Sequence, residues 1–541
     1  MEVSVEHTGM EEQTCQCHEL TEENALLRER VSGLEAQKSQ LAEENRWLKE
    51  QFLLARHARF GAKSEQVKID PSQLGPLFNE AELVLGTSPA QALGEKTVTY
   101  TRKKKTAGHR EEIVSDLDTE VIEYRLAEEE QVCACCGNAL HEMSAKMREE
   151  LVIVPAKVKV VQHVRYVYAC RHCDRNETST PIVTAAAPRP IMHNSLASAS
   201  AIAHVMGMKY AEAMPLYRIE KHFEQLGVEL PRAILSNWMI KGGEMLSPVY
   251  ERMKETLLGL EVAHADETVL QVLKEDGRKA QSRSYMWLYR SGSTGPPIVL
   301  YEYQPTRSAS HPQEFLSGFQ GYLHVDGYAG YNGIPGVTLV GCWAHARRYF
   351  VDAQKILPEK EQDDPERLVN VALGHIRRLF DIEAQMSEAT PEERYAVRQS
   401  RSKPIIEELK GWLDTQVVRI TPKSALGKAI QYSLGQWKKL NEYLTDGRLE
   451  ISNNRAERSI KPFVIGRKNW LFANTPKGAR TSAVIYSIVE TAKENGLNPY
   501  AYLEYVLGRM QVIDSADKAA IDELLPWGKS AQVCLSKSPR T

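Results

Sequence analysis

No segment of the 541-residue sequence brings together the ~18 consecutive apolar residues that a membrane helix requires. The opening residues, Met1 to Gln13, are acidic and lack the basic start and apolar stretch of a secretory signal. A membrane partner is therefore not expected, and the cytoplasm, in association with the nucleoid, is the expected compartment. Nine cysteines, an odd number without a secretion signal, exclude a disulfide framework and leave thiols or metal ligation. Charge of one sign is also missing: 68 Lys and Arg against 71 Asp and Glu leave a net −3. That sum does not mark a nucleic-acid binder, but it hides local patches. The length exceeds what one hydrophobic core serves and implies three or four modules.

Leucine recurs every seventh residue at Leu20, Leu27, Leu34, Leu41 and Leu48. With leucine at d, the a positions are Asn24, Val31, Lys38, Asn45 and Phe52, the seam of a coiled coil spanning 15–58. Polar a residues favour an in-register homodimer over higher oligomers. A helix lying on the protein's own core is the alternative, but the charged flanks (Glu22, Glu23, Arg28, Glu29) leave only a narrow apolar stripe. Span 59–120 reads as a linker with Pro71, Pro76, Pro89 and the basic run Arg102, Lys103, Lys104 and Lys105.

Module 121–182 carries Cys133-x-x-Cys136 and Cys170-x-x-Cys173, each pair spaced for two thiolates on one tight turn. Four thiolates complete one structural tetrahedral Zn²⁺ site. The 33 residues between the pairs exceed the usual spacing, and an extended strand explains them. Val158, Val160, Val164, Tyr166 and Tyr168 alternate with Lys157, Lys159, His163 and Arg165. Residues 190–258 are helical in pattern, with Gly227 between two segments in the manner of a DNA-binding helix-turn-helix whose second helix covers 233–241.

After Gly259 the period becomes extended. Strands are expected at 262–266, 285–290, 298–303, 322–326 and 337–343, with a helix at 311–319 and another from Ala344. This order approaches that of a ribonuclease-H-like fold, and Asp266 and Asp326 each close a strand where open α/β sheets place their chemistry. Region 259–353 is the first part of this core, 354–449 a helical insertion, 450–510 the second part and 511–541 a C-terminal tail. The second part opens Ser452-Asn453-Asn454-Arg455-Ala456-Glu457-Arg458, with Ser452 or Asn453 suited to cap a helix. From Asn453 to Arg480 there are seven Lys or Arg and one acid, Glu457. A lone carboxylate there is placed to meet a metal beside phosphates, although ion pairs with Arg458, Lys461 or Arg467 would also satisfy it. Asp266, Asp326 and Glu457 together suit two hard cations, Mg²⁺ or Mn²⁺, in phosphoryl transfer. Arg458, Lys461, Arg467 and Lys468, with Arg347 and Arg348 after the fifth strand, are the candidate DNA-backbone contacts.

Several segments resemble the insertion sequence 66 family of DDE transposases: His264-Ala265-Asp266-Glu267-Thr268, Asp326-Gly327-Tyr328-Ala329-Gly330-Tyr331-Asn332, Cys342-Trp343-Ala344-His345-Ala346-Arg347-Arg348 and Gly466-Arg467-Lys468-Asn469-Trp470-Leu471-Phe472. The resemblance extends through the zipper and cysteine module to Leu524-Leu525-Pro526-Trp527. It implies a multidomain α+β transposase with a ribonuclease-H-like α/β catalytic core. Asp266, Asp326 and Glu457 would be its metal-binding catalytic residues, acting on double-stranded DNA at terminal inverted repeats and target, with accessory proteins from the same element. Val269 departs from the proline common after Glu267-Thr268. The competing readings are a catalytically inactive DNA-binding regulator derived from a transposase, which should have lost a carboxylate, and a nuclease on the same fold, which needs neither zipper nor zinc module.

The cysteine module should hold one Zn²⁺ per chain. Metal analysis should find it lost in Cys170→Ser/Cys173→Ser and unchanged in Cys135→Ser. Converting Leu27, Leu34 and Leu41 to Ala removes three d-layer side chains, each costing ~2–5 kcal/mol if fully buried. Light scattering should then report a monomer where the wild type is a dimer.

Overall fold

The computed structural model describes residues 157–169 and 182–535, with most positions between 27 and 41. Cys133, Cys136, Cys170 and Cys173 lie outside the described residues, as does much of the heptad series. The described positions between 27 and 41 are helical, and Leu27, Val31, Leu34 and Leu41 are exposed on the single chain. Among the described residues no helix is long and apolar enough to cross a membrane.

The chain divides into two compact units. The smaller contains a short antiparallel hairpin of Val167–Ala169 and Ile182–Thr184. Of the long strand expected from Val158 onward, only Val167–Ala169 pair as strand among the described residues, and the Tyr166 carbonyl accepts one further backbone bond, from the Ala185 amide at 3.0 Å. Val160, Val164 and Tyr166 are exposed.

The larger unit is mixed α/β. It opens with helices α1 (Ala199–Met206), α2 (Leu216–Gln225) and α3 (Arg232–Leu258). The second helix of the expected helix-turn-helix is thus 27 residues long. It continues because Leu235, Trp238, Met239, Leu246, Val249, Tyr250, Met253 and Leu257 keep one buried face throughout.

Strands β1 (Val262–Gln271), β2 (Arg283–Ser291) and β3 (Val299–Gln304) follow, then α4 (Ser310–Phe315), β4 (Gly321–His324) and β5 (Val337–Val340). They form one five-stranded sheet in the order β3-β2-β1-β4-β5. The β3-β2-β1 half is antiparallel and the β1-β4-β5 half parallel. Gly321 starts β4 at φ +154°, where a Cβ would lie 2.2 Å from the Glu261 carbonyl oxygen, so only glycine lets the two strands approach.

Helices α5 (Trp343–Gln354), α6 (Leu368–Gln385), α7 (Lys403–Val417) and α8 (Ala425–Gly435) precede α9 (Asn454–Trp470), α10 (Pro476–Glu494) and α11 (Pro499–Met510). α10 covers the edge strand β3. Ser487 Oγ accepts the Tyr301 amide at 2.8 Å, and Thr491 Oγ1 accepts from the Val299 amide and donates to its carbonyl, both at 3.0 Å. Backbone groups that would template another strand are thereby spent on a helix.

Helices α6 to α8 share one apolar cluster with α5 and with Val262 and Val340 of the sheet. The chain leaves this layer through a clamp at Arg398. Its buried guanidinium pairs with Glu383 at 2.8 and 2.7 Å and donates to the carbonyls of Tyr443, Asp446 and Leu449. Those carbonyls belong to the segment that delivers α9 to the sheet. Removing one partner of a buried pair costs about 3–5 kcal/mol, because the other charge stays buried. Arg398→Met should lower unfolding stability by that amount in chemical denaturation, and Arg398→Met/Glu383→Leu should recover part of it.

Candidate active site

β1 and β4 run parallel with His264 opposite His324, the last residues of the shared ladder. Adjacent parallel strands in register present equivalent side chains to one face. The two imidazoles accordingly stack, with centroids 4.2 Å apart and planes 12° from parallel. Alternation returns that face two residues later, at Asp266 and Asp326. The histidines therefore form the floor beneath the two aspartates. Their burial pushes His264 down to about 3 and His324 well below the ordinary range, so both are neutral at pH 7.

Asp266 is not at a strand's end. β1 continues to Gln271, because Glu267 to Gln271 keep pairing with β2 after β4 has turned away. The divergence of β4 opens the sheet beside Asp266. Asp326 lies just beyond β4, where its Oδ1 accepts the Tyr328 amide at 2.8 Å. Gly327 leaves room there for the Tyr432 ring, which a Cβ would approach to 2.7 Å.

Glu457 reaches this face from the first turn of α9. The register of that helix is set by Asn453. Its Oδ1 meets His264 Nδ1 at 2.9 Å, its Nδ2 donates to the Ala265 carbonyl at 2.8 Å, and its backbone N–H donates to Cys342 Sγ at 3.1 Å. Asn453 does begin the helix, yet its side chain caps nothing. With φ −89° and ψ 19° it lacks the extended backbone that aims a side chain at the first-turn amides, and its amide is engaged by the sheet.

The three carboxylates act on one another. Burial holds the Asp266 carboxyl well above its usual range, and the charges of Glu267, Asp326 and Glu457 add to the effect. Glu267, next to Asp266, is pushed up by burial too, but its oxygens are already taken. Arg307 Nε donates to Oε1 at 2.8 Å and the Tyr331 hydroxyl to Oε2 at 2.6 Å. Glu457 is different: its Oε1 is buried without a hydrogen-bond partner. The nearest basic side chains are those of His345, through Nδ1, and Arg348, through Nη2, each 3.5 Å away. Burial lowers His345 below its ordinary value against the pull of Glu457. Crowded acids with a free inward oxygen suit a hard divalent cation, which would relieve their mutual repulsion.

The basic residues divide. Arg348 flanks Glu457, while Arg347 lies near Arg377 of α6 and is exposed. On α9, Arg458 and Lys468 are exposed and Lys461 is half-buried. Arg467 is half-buried, with its guanidinium on Thr268 Oγ1 at 3.1 Å and on the Val269 carbonyl. It braces α9 against β1. Trp470 is partly buried, edge-on to Phe463 at 5.4 Å. The stacked histidines and Asn453 were given no such role from sequence. A signal was present, however: His264-x-Asp266 and His324-x-Asp326 repeat one pattern along β1 and at the end of the neighbouring β4.

Comparison with known proteins identifies the family. Residues 194–481, which contain all three acids, match the model described as "Transposase IS66 family". Residues 130–174 match a "zinc-finger binding domain of transposase IS66", and 487–527 an "IS66 C-terminal element". Residues 47–122, most of them read above as linker, match "Transposase C of IS166 homeodomain". Among curated proteins, the uncharacterized protein y4jD of Sinorhizobium fredii is 35% identical over 418 residues, 74% of this chain and 79% of that protein. Uncharacterized protein y4hP of the same organism is 29% identical over 483 residues, 86% of this chain and 84% of its own length. With one family model spanning more than half of the chain and the others spread along its length, this protein belongs to the IS66 family of transposases.

Proposed function

We propose that the chain cleaves and joins DNA at Asp266, Asp326 and Glu457, on a sheet of the ribonuclease-H-like kind. The observation that carries this reading is the convergence of three acids from β1, the end of β4 and the start of α9: burial first, then Glu267, raises Asp266, and the charges of Asp326 and Glu457 add to it. The strand order β3-β2-β1-β4-β5, antiparallel then parallel, supports the fold assignment. When bound, two Mg²⁺ or Mn²⁺ ions would supply the charge that activates a nucleophile and stabilises the leaving oxygen.

The protein's own residues do the rest. Asp266 is held by the backbone of β1, Asp326 by the Tyr328 amide just beyond β4, and Glu457 by the Asn453 bridge, so the oxygens are preorganised. Neutral histidines beneath them add no competing charge. Arg348 beside Glu457, with Arg458, Lys461 and Lys468 further along α9 and Arg347 next to Arg348 on α5, would supply the attraction for phosphates. Four thiolates of the zinc-finger domain, Cys133, Cys136, Cys170 and Cys173, hold one structural Zn²⁺. The coiled coil pairs two chains so that two DNA ends are processed together, at the element's terminal inverted repeats.

Asp266→Asn, Asp326→Asn and Glu457→Gln each remove a charge with almost no change of shape. Each should lower cleavage and strand transfer by about a thousandfold, the rate equivalent of several kcal/mol of lost charge stabilisation. Gel-shift affinity for terminal-repeat DNA should stay near wild type. Strand transfer at the wild-type rate in any of the three refutes the assignment.

A further inference from the structure

Glu457 Oε1 and His345 Nδ1 face one another at 3.5 Å. Both atoms are buried, and neither has a hydrogen-bond partner. A charge-assisted N–H···O bond would close to ~2.7–2.9 Å, so this gap is not a completed ion pair. Two donor atoms that share one cation at ~2.1 Å, ~90–110° apart, stand ~3.0–3.4 Å from one another. The observed 3.5 Å lies just above this range and nearer to it than to a closed hydrogen bond.

Cys342 Sγ completes a cluster in which the three donor atoms lie within 4.8 Å of one another. The sulfur is already engaged. It accepts the Asn453 amide at 3.1 Å and those of Ala344 and His345, and burial pushes the thiol up to about 11. It serves as a buried anchor for the turn that carries His345. That turn is rigid: the adjacent Trp343 is fully buried, with its indole N–H on the Leu440 carbonyl at 2.7 Å. Arg348 approaches the other Glu457 oxygen, Oε2, which leaves Oε1 turned toward the imidazole.

We infer that His345, through Nδ1, is a fourth protein ligand at the metal centre, sharing with Glu457 the ion on that side. The inference rests on the three-carboxylate reading given above. A nitrogen donor discriminates between cations, because imidazole suits transition ions whereas Mg²⁺ prefers oxygen. This half of the centre therefore favours Mn²⁺ over Mg²⁺, while the Asp266 side, with oxygen donors alone, does not.

The test uses the full-length zinc-loaded protein with Mn²⁺ as probe, because Mn²⁺ is paramagnetic and Zn²⁺ is silent. Pulsed electron paramagnetic resonance of the bound Mn²⁺ should show coupling to one imidazole nitrogen. His345→Ala and His345→Gln should abolish the coupling and weaken Mn²⁺ binding by about tenfold or more, with a smaller loss for Mg²⁺. Circular dichroism identifies whichever variant keeps the fold, and one suffices. Glu457→Gln separates the two ideas. If it binds Mn²⁺ as the wild type does, the carboxylate reading itself fails. If Glu457→Gln loses Mn²⁺ but the wild-type ion shows no nitrogen coupling, or a coupling that survives both His345 variants, the inference is overturned and the carboxylates stand.

Discussion

The architecture around the acids depends on one residue, Asn453. Its side-chain amide holds His264 and Ala265 on β1 and its backbone N–H holds Cys342 before α5, so pieces of chain far apart in sequence meet at the start of α9. A buried amide whose oxygen and nitrogen both find partners is worth more than the sum of separate hydrogen bonds, since each partner left alone would be an orphan in a low-dielectric interior. The geometry of Glu457 is a consequence. Helix α9 cannot rotate or slide without breaking these contacts, so a carboxylate four residues further on holds its place opposite two strands.

The stacked histidines extend the same logic downward. Two polar rings in a sheet interior would ordinarily be a liability. Here each uses one nitrogen, His264 toward Asn453 and His324 as acceptor of the Glu450 amide at 3.3 Å. Those two contacts lie on either side of the chain's return from the helical insertion. The insertion thus does more than fill space. Arg398 holds the carbonyls of Tyr443, Asp446 and Leu449, His324 holds Glu450, and His264 holds Asn453. Successive buried polar contacts guide one strand of chain onto the sheet.

The acids themselves divide the work by what surrounds them. Glu267 is as buried as its neighbours, yet Arg307 and Tyr331 consume its oxygens and make it part of the wall. Glu457 keeps a free oxygen at the cost of an unsatisfied atom. A buried acceptor of this kind is open to a ligand that contributes the partner.

The strands of the core, the helix after the fifth strand and the motif carrying Glu457 were legible in the sequence, because apolar period and residue type are local properties. The repeated His-x-Asp pattern was legible as well, though only the fold gives it meaning. Other features were not. Asp266 reads as a strand end, but β1 runs on because β2 continues to pair with it, and pairing depends on a second segment. Asn453 reads as a cap, but its side chain turns to a histidine 189 positions away. Arg467 reads as a phosphate contact, but it braces a helix on β1. The sequence by itself determined which residue types are available and which segments are strand or helix. The tertiary structure decided which side chains share a face and which polar atoms remain without partners, because register across a parallel ladder is set by packing between distant segments.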